Sequence, residues 1–167
     1  MGPRSVADAA QQTEALLALL DESCIPFILI GGVAAVTWGA TEFTRDLDVC
    51  IEFSVENLER LMTALRPLHP KHLTRPDLPG VAEQPDSLAK FRSLLLTTDL
   101  GRLDVLRDVP PLGVYSDLAT RATTVHVFGR ELRLIALDDL IAIKEHVARP
   151  KDLIVAAQLK AIRATRT

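Results

Sequence analysis

The stretch "FILIGGVAAVTWGATEFTRDLDVCIEF", residues 27–53, decides the fold. It opens on a continuous apolar run, residues 27–30, that fits a short buried strand. Pro26 precedes the run and Gly31-Gly32 ends it. "VAAVTWG" reads as a helix stopped by Gly39. "LDVCIEF" reads as a second strand, with Ile51 and Phe53 continuing its pattern. Asp46 and Asp48 stand at its head. Residues two apart on a strand share a face, so both carboxylates can converge on one point. Like charges held together repel unless a cation lies between them, and a divalent ion meets that need.

A third acid, Asp104, lies between Leu103 and Val105 in "GRLDVL". An acid in so apolar a strand is either an edge residue facing water or a ligand. If that strand neighbours "LDVCIEF", three carboxylates meet. Such a set can hold two Mg²⁺ ions about 3.5–4 Å apart, the arrangement used for in-line phosphoryl chemistry. The glycines suit the same chemistry. A Gly-Gly turn that opens a helix brings backbone N–H groups close to a ligand, and the helix start favours phosphate.

The rest of the chain supplies helices and strands in mixed order. Residues 6–20 read as a helix capped by Ser5, with Leu16, Leu17 and Leu20 at helical spacing. "SVENLERLMTALRPL" is a second clear helix. Ser54 is its N-cap, Asn57 stands where a capping box has Glu or Gln, and Leu58, Leu61, Met62 and Leu65 form its stripe. Pro67 ends it. Residues 70–87 hold four prolines and read as a long surface loop, a candidate substrate or partner loop. "FRSLLLTT" and "GRLDVL" are strands around a turn at Asp99, Leu100 and Gly101. A loop with one helical turn follows, then a hairpin, "TTVHVFGRELRLI", pivoting on Gly129-Arg130. The chain ends in two helices broken near Pro150, the first capped by Asp138.

This order lacks regular strand–helix–strand alternation and implies an α+β fold, a mixed sheet flanked by helices with a C-terminal helical pair. No GxGxxG follows the first strand, which argues against a dinucleotide fold. The length and the absence of a linker imply one domain, 1–167, with its core over 25–136 and the terminal helices over 137–164.

Composition narrows the function. The chain has 167 residues, 48% of them hydrophobic, enough for a full core and against disorder. A net charge of −3 argues against a broad grip on nucleic-acid phosphates. With 4% aromatics, base-stacking platforms are not expected, and Trp38 reads as a packing anchor. Cys24 and Cys50 show no metal spacing, and Cys50 reads as a buried thiol in a strand. No apolar run is long enough for a membrane helix and no signal peptide is read at the N-terminus, so a reducing cytoplasm is the expected setting. His69, His72, His126 and His146 show no ligand spacing among themselves.

Strand, Gly-Gly, helix, D-x-D at the head of the next strand and a later Asp on a strand resemble the nucleotidyltransferase superfamily shared by polymerase beta-like enzymes. The chain resembles most the AbiEii-type branch of small nucleotidyltransferases, some of them toxin components. In that branch the first motif reads roughly GG or GS, a helix, then R-x-T-x-D-x-D. Here "GGVAAVTWGATEFTRDLD" supplies Gly31, Gly32, Thr44, Asp46 and Asp48. A late helix there carries Lys, then Arg/Lys-Asp; "LIAIKEHVARPKDL" supplies Lys144 and Asp152. Glu42 stands where the branch has Arg, with Arg45 as the nearby basic residue, and Val155 stands where a further acid often falls.

The resemblance implies an enzyme that uses an NTP and Mg²⁺ (or Mn²⁺) to transfer a nucleoside monophosphate to a hydroxyl. Asp46, Asp48 and Asp104 would hold metal, and Asp104 would help deprotonate the acceptor. Gly31 and Gly32 would cradle the triphosphate. Thr44, Arg45, Lys144 and Asp152 complete the nucleotide-binding candidates, with Lys144 on phosphate or compensating the acids. As bare sequence, Lys144 can equally be a solvated helix residue, and Asp152 an N-cap or ion-pair partner. The acceptor can be tRNA, a protein or a small molecule; an antitoxin partner and a homo-oligomer stay open. Glu42 motivates a second reading, a catalytically degenerate module that binds a nucleotide or partner.

Overall fold

In a computed structural model the described residues are 6–75, 77–78 and 85–166. Ser5 and part of the proline-rich 70–87 segment lie outside them. Helix α1 (Val6–Glu22) leads through a turn into strand β1 (Ile28–Ile30), and helix α2 (Gly31–Trp38) starts at once. Strand β2 (Asp46–Cys50) and helix α3 (Val55–Leu65) follow. A 3-10 turn (Arg66–Leu68) leads to the short strand β3 (Lys71–His72) and helix α4 (Pro85–Leu88). Strands β4 (Ser93–Thr98) and β5 (Gly101–Leu106) form the first hairpin. Strands β6 (Asp108–Val109) and β7 (Gly113–Val114) pair separately before helix α5 (Tyr115–Ala119). Strands β8 (Thr123–Val127) and β9 (Arg130–Leu134) form the second hairpin, and helices α6 (Leu137–Val147) and α7 (Pro150–Ala164) close the chain.

Among the described residues seven strands make one mixed sheet, in the order β3-β4-β5-β2-β1-β9-β8. β2 runs antiparallel to β1 and parallel to β5; β1 runs parallel to β9. Helices α1 and α3 meet each other, and α1 lies against β2 and β5. Helix α2 packs on β1 and β2 and meets α6 and α7. This is the α+β fold that the element order implies.

Local chemistry sets the boundaries. α2 stops where Gly39 turns left-handed at φ 112° and donates its N–H to Val36. The Ser54 hydroxyl accepts from the Asn57 N–H at 3.1 Å, while the Asn57 amide returns to the Glu52 carbonyl at 3.0 Å. Leu58, Leu61, Met62 and Leu65 are buried from α3, each worth about 1.5–3 kcal/mol relative to exposure. Trp38 is an anchor, its indole N–H donating to the Ile135 carbonyl at 2.9 Å.

Several boundaries differ from the sequence expectation: α2 starts at Gly31, not Val33, β4 starts at Ser93, and β3 and α4 fall in the segment read as a loop. β2 ends at Cys50, although Ile51 still donates its N–H to Leu106 and is buried. The second hairpin pivots on Phe128-Gly129, not on Gly129-Arg130. Both residues have positive φ, 52° and 74°, as a tight primed turn requires. Arg130 is thereby released to open β9 and pair with Asp21 and Glu22 at the end of α1. Finally, Asp138 does not cap α6. The helix starts two residues earlier than that cap would set it, with Ala136 in the cap position, and Asp138 reaches Arg163 instead.

Candidate active site

Parallel pairing sets Asp48 opposite Asp104 and Asp46 opposite Arg102. In the same ladder Leu47 meets Leu103 and Val49 meets Val105, and all four of these are fully buried. Alternation along each strand then turns Asp46, Asp48, Arg102 and Asp104 together onto the opposite face. The register brings Asp104 beside Asp46 and Asp48, from which it lies far in sequence. β5 sits inside the sheet between β4 and β2, and Asp104 is only 8% exposed. It is no edge residue, so its charge must be met by protein or by a ligand.

β1 delivers the glycines to the same spot. Ile30 pairs with Asp48, and the chain turns directly into α2. Gly31 has φ 70°, and a Cβ there would lie 2.7 Å from Asp48 Cγ. A Cβ on Gly32 would lie 2.7 Å from Thr44 Cβ. Asp48 and Thr44 therefore rest directly on the glycine backbone, and only glycine leaves room for them. The Thr44 hydroxyl donates to the Asp46 carbonyl at 3.1 Å, tying the loop to the head of β2. No side chain caps the start of α2.

The cation between the carboxylates is Arg102. Its Nε and Nη2 donate to the two oxygens of Asp104 at 3.0 and 3.1 Å, and its Nη1 lies 3.4 Å from Asp46 Oδ2. Asp48 is left under-neutralised. Burial pushes its carboxyl up to about 7, aided by repulsion from and a hydrogen bond with Asp104 and by the charge of Asp46, while Arg102 pulls the other way. Hydrogen bonding to Asp104 in turn raises the Arg102 guanidinium above its ordinary value.

Among the described residues no three His, Cys, Asp or Glu side chains are gathered closely enough to hold a metal ion as they stand. The donor chemistry nonetheless suits a hard divalent cation, with three carboxylates on one face. Arg102 spans two of them, Asp46 and Asp104.

Lys144 and Asp152 belong to a second cluster. The Lys144 ammonium is not on a solvated helix face; it is buried, 3.3 Å from Glu42 and 3.6 Å from Asp152. Asp152, 1% exposed, accepts from Arg149 Nε at 2.6 Å. Burial alone would raise the Asp152 carboxyl, but the hydrogen bond and charge of Arg149, with Lys144 beyond, hold it below the usual carboxylate range. Of the two roles open to Asp152, it takes the ion pair, while Arg149 occupies the cap position of α7. Glu42 joins the clusters, because the loop over residues 41–45 runs from this ion pair to Thr44 and Asp46. Arg45 is exposed, with its guanidinium 5.2 Å from the centre of the Phe43 ring.

Elsewhere, Cys50 is buried, and desolvation, with Asp108 nearby, pushes its thiol up to about 12. His126 and His146 are exposed. No helix among the described residues is long and apolar enough to cross a membrane.

Sequence reasoning missed Arg102 and Arg149. The signal for Arg102 was present, since it precedes Asp104 by two in a strand and must share its face. Arg149 stands three residues before Asp152, a spacing that pairs side chains on a helix.

No protein-family model matches the chain, and no curated protein matches it in sequence. Among solved structures it is similar to the crystal structure of the lincosamide antibiotic adenylyltransferase LnuA with lincomycin bound. The TM-score is 0.62 at 14% identity, over 91% of this chain and 96% of that one. The chain has the fold of that nucleotidyltransferase, and at this identity the likeness speaks for the fold alone.

Proposed function

We propose that the chain is a Mg²⁺-dependent nucleotidyltransferase that moves a nucleoside monophosphate from an NTP to a hydroxyl acceptor. The observation that carries this reading is the register of β2 on β5, which places Asp46, Asp48 and Asp104 on one face beside Gly31. The nucleotidyltransferase fold supports it. So do Thr44, Lys144 and Asp152, which favour the AbiEii-type branch.

Asp46, Asp48 and Asp104 would hold Mg²⁺, or Mn²⁺ in its place. When bound, the metal neutralises charge on the reacting phosphate and on the leaving pyrophosphate. The backbone N–H groups at the start of α2, from Gly31 and Gly32 onward, would receive phosphate oxygens. The acceptor oxygen forms a bond to the α-phosphorus, the bond to the bridging oxygen breaks, and pyrophosphate leaves. The hydroxyl proton passes to Asp104. Lys144 and Asp152 hold the loop over residues 41–45 in place through Glu42. For the acceptor we favour a small-molecule hydroxyl, because the similar structure is that of an adenylyltransferase of a small antibiotic and its length is matched almost throughout.

One observation favours the second reading, a nucleotide-binding module without transfer. Glu42 and Asp152 already neutralise Lys144, the lysine that the resemblance assigns to phosphate. The test is calorimetry of each Mg²⁺–NTP, then transfer of labelled nucleotide to small hydroxyl compounds, tRNA and protein. Metal-dependent binding and pyrophosphate release are expected. The Asp46→Asn/Asp48→Asn double variant should lose several kcal/mol of transition-state stabilisation, about 10³-fold in rate. Transfer unchanged by Asp46→Asn and by Asp104→Asn would end the assignment of the metal and the chemistry to these carboxylates. Binding without transfer to any acceptor would leave the binding module.

A further inference from the structure

We propose that Arg102 is a built-in competitor for the metal, a guanidinium that holds Asp46 and Asp104 together in the metal-free protein and must be displaced for a divalent cation to bind. This inference rests on the metal-dependent reading of the site.

Four observations carry it. The Arg102 fork is engaged at both ends, on both oxygens of Asp104 and on Asp46. It spans two of the three carboxylates that the fold places on this face, while no three of them are gathered for a metal. Two-point donation fixes a carboxylate's orientation more firmly than a single point charge can. Third, among the described residues one guanidinium faces three carboxylates, too little charge, so the cluster is held together without being neutralised. Finally, the Arg102 side chain is 35% exposed while that of Asp104 is 11% exposed. The arginine can swing out on its long stem; the strand-bound aspartate cannot follow it. An incoming ion therefore exchanges with the fork instead of filling an open cage.

Competition of this kind has a definite consequence. The arginine keeps the acids from repelling one another when no metal is present, and it weakens the metal by the free energy of the pair it breaks. Removing it should destabilise the metal-free protein and tighten metal binding together. A residue that only packs the sheet would do the first without the second, and a residue that contacts nucleotide would leave binding of the metal alone unchanged.

The probe is Mn²⁺ alone, titrated by calorimetry and by electron paramagnetic resonance into full-length wild type, Arg102→Ala, Arg102→Lys and Asp46→Asn/Asp48→Asn. An ion pair of this exposure is worth a few-fold in affinity, so Arg102→Ala should bind Mn²⁺ about three- to ten-fold more tightly. Its melting temperature in chelator should fall, and Mn²⁺ should raise that temperature more than in wild type. Arg102→Lys, which keeps the charge and loses the fork, should fall between. If Arg102→Ala does not fold, the lysine variant decides by the same comparison with wild type. Mn²⁺ binding that is unchanged or weaker in the folded variant overturns the proposal while leaving the enzyme reading intact. No Mn²⁺ binding by wild type or by any folded variant overturns both.

Discussion

One cluster sets Lys144 and Arg149 against Glu42 and Asp152; in the other, among the described residues, Arg102 alone stands against Asp46, Asp48 and Asp104. The first is balanced, and its innermost carboxylate is held below the ordinary range. The second is short of positive charge, and its middle carboxylate is pushed up to about 7. Both are built of basic groups and carboxylates, and the loop over residues 41–45 joins them. The difference lies in whether the protein completes the cluster itself. A complete cluster is a strut, whereas an incomplete one has unmet demand for a cation, and such demand marks a candidate site.

The balanced cluster should break hardest. Asp152→Ala leaves the buried Lys144 ammonium with Glu42 alone. Losing one partner of a buried ion pair costs on the order of 3 kcal/mol, roughly 10 °C in melting temperature for a chain of this size. The Lys144→Met/Asp152→Leu double variant removes both charges and should cost clearly less than Asp152→Ala. Thermal melts of the single and double variants check this. A double variant as damaged as the sum of its parts would show that Lys144 and Asp152 are not coupled.

The two clusters should also answer pH with opposite sign. Asp48 has a raised folded value, so between about 3.8 and 7 the native state keeps a proton that the unfolded chain has released. Stability is therefore lost as pH rises through that window. Asp152 has a lowered folded value. Its contribution is complete above its ordinary value of 3.8 and is lost as pH falls below that. In metal-free buffer, the melting temperature of Asp48→Asn should rise relative to wild type as pH goes from 4 to 8. That of Asp152→Asn should lie below wild type at pH 7 and approach it in acid. Melting temperatures taken across pH 3–8 test both slopes, and two slopes of one sign would dissolve the comparison.

Much of the incomplete cluster was legible in the sequence, because it rests on short-range rules. The pairing of Asp46 with Asp48 follows from the period of a strand, and the closeness of Gly31 follows from an abrupt strand end. Asp104 was legible as an acid out of place in an apolar strand, but its position opposite Asp48 was not. That position depends on β5 joining β2 in parallel across a long intervening segment, and local pattern carries no register between distant strands. The balanced cluster was hidden for the same reason. Glu42 and Lys144 read as a departure and a motif residue respectively, and only the packing of α6 and α7 against α2 makes them a pair. Asp138 shows the opposite limit. Its residue type suits a cap, yet burial of Ile135 and Leu137 fixes where the chain enters α6, and tertiary packing overrides the local preference.

The smallest expected effect sharpens the comparison most directly. Arg163 meets Asp138 at 2.8 Å, almost the separation of Arg149 and Asp152 at 2.6 Å. Distance alone would rank the two pairs together. Burial separates them: the Asp138 side chain is 76% exposed and that of Asp152 is 2% exposed. Water screens the first pair and already solvates both ends when it opens, so little is lost. Asp138 also sits in the first turn of α6, where a carboxylate favours the helix slightly, and that contribution is screened as well. Asp138→Ala should therefore lower the melting temperature by less than about 2 °C, and by less still in high salt. A drop comparable to that of Asp152→Ala would mean that geometry, and not burial, decides what an ion pair contributes in this protein. The contrast between the two clusters would then need another cause.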